Sequence, residues 1–134
     1  MAKMTGYFDG ASRGNPGEAG AGAYLADDEG NIIWETARPL GIKTNNEAEY
    51  NALILLLTAA KERGVSELIV RGDSKLVISQ ISRQWKINLP HLRTLAQKAW
   101  LISDGMNIQY EWIPREQNRH ADKLSNDALD GNAV

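Results

Sequence analysis

The 134-residue chain contains no cysteine. That excludes disulfides, cysteine-ligated zinc and a thiol nucleophile, although a missing residue type says little about compartment by itself. A long apolar run is missing too. The most apolar stretch, Leu53 to Ala60, falls far short of the roughly 20 residues needed to cross a bilayer, and the N-terminus has no basic region followed by an apolar core. A cytoplasmic protein with no membrane partner is expected. Excess positive charge is also lacking: the formal net charge is -2 and the pI is near 5.7. Such a chain does not hold nucleic acid by bulk potential, so any such binding must rest on local donors, a few basic residues, or metal ions that reverse an acidic patch. No repeat, linker or low-complexity segment interrupts the sequence. With 43% apolar and 24% charged residues, residues 1–134 are expected to form one domain.

Hydrophobic periodicity orders the elements. Thr5 to Asp9 reads as a strand, and Ala21 to Ala26 with Asn31 to Arg38 as a hairpin across Asp27-Asp28-Glu29-Gly30. Asn45 to Arg63 is the clearest helix, ended by Gly64, and Glu67 to Arg71 is a short apolar strand of the kind buried in a parallel sheet. Leu76 to Ile81 and Leu89 to Ser103 read as helices, Asn107 to Ile113 as a fifth strand stopped by Pro114, and Asn118 to Leu129 as a final helix. The tail from Asp130 is expected to fray. The order βββαβααβα predicts a three-layer α/β domain, a five-stranded mixed sheet with helices on its faces, whose ligands gather beyond the carboxyl ends of the parallel strands.

Four acids stand where such a ligand would sit. Asp9 follows the first strand and Asp73 the fourth, so parallel pairing of those strands would bring both to one edge; taken singly, Asp9 is a turn residue and Asp73 a helix N-cap. Rotation by about 100° per residue puts Glu49 on the apolar stripe of Ala52, Leu53, Leu56 and Ala60, and puts Glu47 on the solvated face of Asn51, Thr58 and Glu62. A core-facing carboxylate needs an arginine, a proton or a cation. Asp122 borders the stripe of Ala121, Leu124, Ala128 and Leu129, where the helix dipole alone would also favour an acid. Brought together, Asp9, Glu49, Asp73 and Asp122 would form an all-oxygen set suited to Mg²⁺ or Mn²⁺. Two such ions about 4 Å apart serve in-line phosphoryl transfer.

Four segments resemble the type 1 ribonuclease H family: Asp9-Gly10-Ala11-Ser12-Arg13-Gly14-Asn15-Pro16-Gly17, Thr44-Asn45-Asn46-Glu47-Ala48-Glu49, Gly72-Asp73-Ser74 and Asn118-Arg119-His120-Ala121-Asp122. The resemblance covers nearly the whole chain in order. It implies a ribonuclease H-like fold and hydrolysis of the RNA strand of an RNA/DNA hybrid to 5′-phosphate and 3′-hydroxyl ends. It implies Asp9, Glu49, Asp73 and Asp122 as catalytic ligands of two Mg²⁺ or Mn²⁺ ions. Among substrate contacts it implies Ser12, and Asn15, Asn45 and Asn46 in the hybrid minor groove, where amides can both donate to and accept from 2′-hydroxyls. Thr44 resembles a residue that touches a DNA-strand phosphate. Trp85 with Lys86 would support the same strand, although a tryptophan between helices also reads as partial core. A monomer without an obligate protein partner is expected.

The chain departs from the family in two places. Many bacterial members carry a histidine in the loop before the last aspartate, whereas this loop is Pro114-Arg115-Glu116-Gln117. His120 reads as helical and His91 begins another helix, so either Arg115 or Glu116 substitutes or the role is absent, and Arg115 is the one nominated to meet the substrate. The lysine-rich insertion between the middle helices of some members is also missing, since Gln84-Trp85-Lys86 leads almost directly to Pro90. Hybrid binding is therefore expected to be modest, metal-dependent and weakened by salt. Other readings are a same-fold nuclease for double-stranded RNA or structured DNA, and a non-catalytic hybrid-binding module.

Overall fold

The first strand carries Met4, Gly6 and Phe8 on one face and Thr5, Tyr7 and Asp9 on the other, and this alternation assigns the layers of the protein. A computed structural model describes residues 3–132. The elements in chain order are β1 (Lys3–Gly14), β2 (Gly17–Ala26), β3 (Ile32–Lys43), α1 (Asn45–Glu62), β4 (Glu67–Gly72), α2 (Lys75–Ile81), α3 (Pro90–Ile102), β5 (Asn107–Trp112) and α4 (Arg119–Leu129). A single 3₁₀ turn, Arg115–Gln117, precedes α4.

The sheet runs β3-β2-β1-β4-β5. β1 pairs antiparallel with β2 and parallel with β4, β2 pairs antiparallel with β3, and β4 pairs parallel with β5. Phe8, Ala21, Ala23, Leu25, Leu68 and Val70 pack with Leu53, Leu56 and Leu57 of α1 and with Val77, Leu92 and Ala96 of α2 and α3. Each large side chain so buried contributes about 1.5–3 kcal/mol. On the opposite face Leu124 and Ala128 of α4 pack with Ala37 and Tyr24. The expected three-layer α/β arrangement with a five-stranded mixed sheet is therefore present.

The boundaries of β1, β2 and β3 and the tail after α4 differ from the sequence expectation, each for a local reason. β2 begins at Gly17 rather than Ala21 because it pairs with β1 along the whole hairpin. β1 continues to Gly14, because only Asn15 and Pro16 form the turn and Gly14 pairs with Gly17. Asp9 consequently lies inside β1; it is past the strand only with respect to β4, whose pairing ends at Phe8 and Gly72. β3 runs on through Pro39 to Lys43, since it is the sheet edge and Pro39 sits at a register shift, where a missing N–H is tolerated. The chain after α4 does not fray at once: Asp130 caps the helix and pairs with Arg13 at 2.6 Å, and the Asn132 N–H donates to the Asp127 carbonyl at 2.7 Å. Residues 133–134 of the expected tail lie outside the described residues.

Candidate active site

The parallel pairing of β1 with β4 delivers Asp9 and Asp73 to the same sheet edge. Asp73 does not cap α2. Ser74 does, with its hydroxyl accepting from the Val77 N–H at 3.2 Å, so the Asp73 carboxylate is left to the cavity beside it.

Glu49 arrives from the other side. A Cβ on Gly10 would lie 2.2 Å from the Ala48 carbonyl carbon and 2.3 Å from the Glu49 nitrogen, so only glycine lets the first turns of α1 rest on β1. The Gly10 N–H then donates to Glu49 Oε1 at 2.7 Å. Ligand oxygens of Asp9, Glu49 and Asp73 lie within 4.8 Å of one another. Asp122, in the first turn of α4, lines the same cavity of about 320 Å³ together with Ser12, Asn45 and Arg115.

The electrostatics follow from that crowding. Burial, then the charges of Asp73 and Asp122, push the Asp9 carboxyl up to about 8 against a hydrogen bond from Ser125. Burial and the charge of Asp9 hold Glu49 well above the usual carboxylate range, and burial raises Asp73. Among the described residues no lysine or arginine forms an ion pair with Asp9, Glu49 or Asp73; the nearest pair is Arg115 with Asp122 at 3.7 Å, on an exposed arginine. Converging carboxylates without an organic counter-cation either retain protons or bind a hard cation, and an all-oxygen donor set of this size fits a divalent ion such as Mg²⁺ or Mn²⁺.

Asn118 knits the acids together. It is 1% exposed. Its Nδ2 donates to the Phe8 carbonyl at 3.0 Å and lies 3.4 Å from Asp73 Oδ2, and its own carbonyl accepts from the Asp122 N–H at 3.0 Å. Its Oδ1 is buried without a hydrogen-bond partner. The Trp112 indole N–H donates to the Asp73 carbonyl at 3.0 Å. Sequence reasoning gave neither residue a role. Asn118 stands in the same motif as Asp122, which is a usable signal, but nothing in sequence joins Trp112 to Asp73.

The other nominated residues fall around this cavity or outside it. Asn15 Oδ1 accepts from the Asn45 N–H at 3.1 Å, and Asn45 Oδ1 accepts from the Ser12 N–H at 3.0 Å, which braces the tip of the β1–β2 hairpin against α1. Both amide NH₂ groups remain as donors, and Asn46 follows in the first helical turn. The Ser12 hydroxyl lies 2.8 Å from the Lys43 carbonyl and also meets that of Gly14. Thr44 and Glu47 form a reciprocal cap, so Glu47 is half-buried and engaged rather than freely solvated, and stands outside the acid cluster. His120 is helical as expected and pairs with Glu35 at 2.8 Å. Trp85 is 48% exposed. With Lys86, Arg83 and Trp100 it lines a second cavity of about 510 Å³ next to the segment joining α2 to α3, so it is not core.

Comparison with known proteins agrees with this geometry. A family described as reverse transcriptase-like matches residues 7–128. The chain is 44% identical over 128 residues to ribonuclease HI of Halobacterium salinarum, covering 92% of this chain and 63% of that protein. It is 46% identical over 127 residues to a bifunctional protein of Mycobacterium tuberculosis, covering 93% of this chain and 35% of that protein. It thus spans between about a third and two thirds of the length of these curated relatives. LC11-RNase H1, solved in complex with an RNA/DNA hybrid, superposes with a TM-score of 0.91 at 37% identity, covering 96% of this chain and 97% of that one. Fold and acid cluster define a ribonuclease H-like domain. The chain belongs to the reverse transcriptase-like family, within its type 1 ribonuclease H group. No helix among the described residues is long and apolar enough to cross a membrane.

Proposed function

We propose that this chain is a single catalytic domain that hydrolyses the RNA strand of RNA/DNA hybrids, leaving 5′-phosphate and 3′-hydroxyl ends. The observation that carries the reading is the convergence of Asp9, Glu49 and Asp73 within 4.8 Å, with Asp122 on the same cavity. A relative of this fold was solved with such a hybrid, which supports the choice of substrate.

Asp9, Glu49, Asp73 and Asp122 would hold two divalent cations, Mg²⁺ or Mn²⁺. When bound, such ions supply Lewis acidity for water attack in line with the leaving oxygen. The chain's own residues place the substrate. The free NH₂ groups of Asn15 and Asn45, with Asn46, meet hydrogen-bond acceptors of the minor groove and its 2′-hydroxyls, and Ser12 fixes the hairpin that presents them. The Thr44 hydroxyl, engaged in the cap with Glu47, sits at the N-terminus of α1, from where it can turn to donate to a DNA phosphate. Trp85 and Lys86 support the DNA strand. Arg115, beside Asp122, takes the position left by the missing loop histidine and offers a guanidinium to the phosphate. We extend the reading to a monomer that works in the cytoplasm without an obligate protein partner.

The test is to incubate the protein with Mg²⁺ or Mn²⁺ and labelled RNA/DNA, RNA/RNA and DNA/DNA duplexes, resolving products and their ends on a gel. Cleavage of the hybrid alone is expected. Equal cutting of all three duplexes overturns the hybrid reading, and cutting without divalent ions overturns the metal reading.

A further inference from the structure

We propose that Ser125 is a positioning residue that fixes the Asp9 carboxylate for cation binding; this rests on the metal reading above. Asp9 pairs across the sheet with Gly22, and both project toward α4. A Cβ on Gly22 would lie 2.4 Å from the Ala121 carbonyl oxygen and 2.5 Å from the Ser125 nitrogen, and one on Gly20 would lie 2.5 Å from the Ser125 carbonyl oxygen. Two bare positions on β2 therefore bring the backbone of α4 down onto the sheet. At that depth the Ser125 side chain, 0% exposed, reaches across to β1. Its hydroxyl lies 3.0 Å from Asp9 Oδ2.

The same hydroxyl lies 2.8 Å from the Asp122 carbonyl one turn earlier, a common way for a helical serine to satisfy itself. That carbonyl also accepts from Asn126 Nδ2 at 3.0 Å, so it does not depend on Ser125. Asp9 is only 5% exposed, so its Oδ2 depends on a donor from the protein rather than on bulk water. Donation to Oδ2 orients the carboxylate and occupies one of its oxygens, which directs the other toward Glu49 and Asp73. Ser125 also stands three residues after Asp122, so one helix turn supplies an acid to the cavity and the donor that aligns another acid.

The experiment is titration of Mn²⁺ alone, followed by the disappearance of the free-ion electron paramagnetic resonance signal, into wild type, Ser125→Ala and Asn126→Ala, with thermal unfolding measured on the metal-free proteins. Loss of a hydrogen bond to a ligating carboxylate weakens metal binding by about tenfold or more. Ser125→Ala is expected to weaken Mn²⁺ binding by about that factor, and Asn126→Ala to leave it unchanged. Hybrid cleavage by Ser125→Ala is expected to recover as Mn²⁺ is raised, with KM for the hybrid unaltered. Equal Mn²⁺ affinity of Ser125→Ala and wild type overturns the proposal, as does equal weakening in both variants. A wild type that binds no Mn²⁺ overturns the metal reading itself, which is a separate outcome. If Ser125→Ala does not fold, Ser125→Gly, which also removes the donor, is read in the same titration, and affinity equal to wild type overturns the proposal there too.

Discussion

The backbone N–H of Gly10 donates to Glu49 Oε1 across 2.7 Å, joining a strand and a helix 39 residues apart in sequence at the floor of the acid cluster. The contact exists because position 10 has no side chain. Gly10→Ala would drive a methyl into the backbone of Ala48 and Glu49, and such overpacking costs about 1–3 kcal/mol. Expected are a lowered midpoint in urea unfolding and a fall in kcat of more than tenfold, because Glu49 leaves its position. A variant with wild-type kcat would show that α1 can move without moving the site.

Glu47→Gln and Glu49→Gln should separate sharply, although the two glutamates are neighbours on one helix. Glutamine at 47 can still accept from the Thr44 N–H, so cap and activity are expected to survive, whereas Glu47→Ala loses part of the cap at a cost of about 0.5–2 kcal/mol. Glu49→Gln removes a charge from the cluster and is expected to abolish cleavage. Parallel kinetic and thermal-unfolding measurements on the three variants check this.

Asp9→Asn is expected to lose activity while stabilising the metal-free protein in a pH-dependent way. Asp9 titrates near its ordinary value when unfolded and near 8 when folded, so between those limits the native state holds the extra proton. Stability from the neutral acid is complete below the unfolded value and is lost as pH rises through about 8. Asparagine cannot ionise. In chelator, the melting temperatures of variant and wild type should therefore nearly coincide at pH 4, diverge upward through neutrality in favour of Asp9→Asn, and level off above pH 8. A constant difference across that range would show that Asp9 is already ionised in the metal-free protein.

Divalent cations should displace the protons that the cluster retains near neutrality. Calorimetric titration of Mg²⁺ at pH 7 in two buffers of different ionisation enthalpy is expected to give different apparent heats, and the apparent affinity should rise toward pH 8. Identical heats in both buffers would mean that no proton leaves. Added Mg²⁺ should also raise the melting temperature, because the ligands converge only in the folded chain.

Removing Asn118 should injure folding and catalysis together. Asn118→Ala strips the Phe8 carbonyl and Asp73 of a donor inside the protein, and an unsatisfied buried group costs about 1–3 kcal/mol. Asn118→Asp keeps the shape but adds a carboxylate to a site already crowded with them, so its loss of kcat should exceed its loss of stability. Comparable kcat for the two variants would reduce Asn118 to a packing residue.

Much of this was legible in sequence because it depends on period. The stripe through Glu49, Ala52, Leu53 and Leu56 points the glutamate inward whatever the sheet does, and the apolar strand before Asp73 predicts its parallel neighbour. What periodicity missed was set by contacts between distant segments. Glu47 looked solvated on a helical wheel because the wheel carries no information about the cap, although Thr44 three residues earlier signals one. The length of β1 was hidden because Ser12, Arg13 and Gly14 are ordinary turn residues, and only the antiparallel partner Gly17–Ala19 holds them extended. The hydrogen bonds of Trp112 to Asp73 and Ser125 to Asp9 depend on how deeply neighbouring elements sit, and the glycines that set that depth for α4 are uninformative until the strands are paired.

The amide brace from Asn15 through Asn45 to Ser12 sets the spacing between hairpin tip and helix before any substrate arrives. Under the function proposed above, hairpin tip and helix would serve as a caliper held at one separation. A duplex whose groove is too narrow or too wide would not touch both at once and would be turned away on breadth alone.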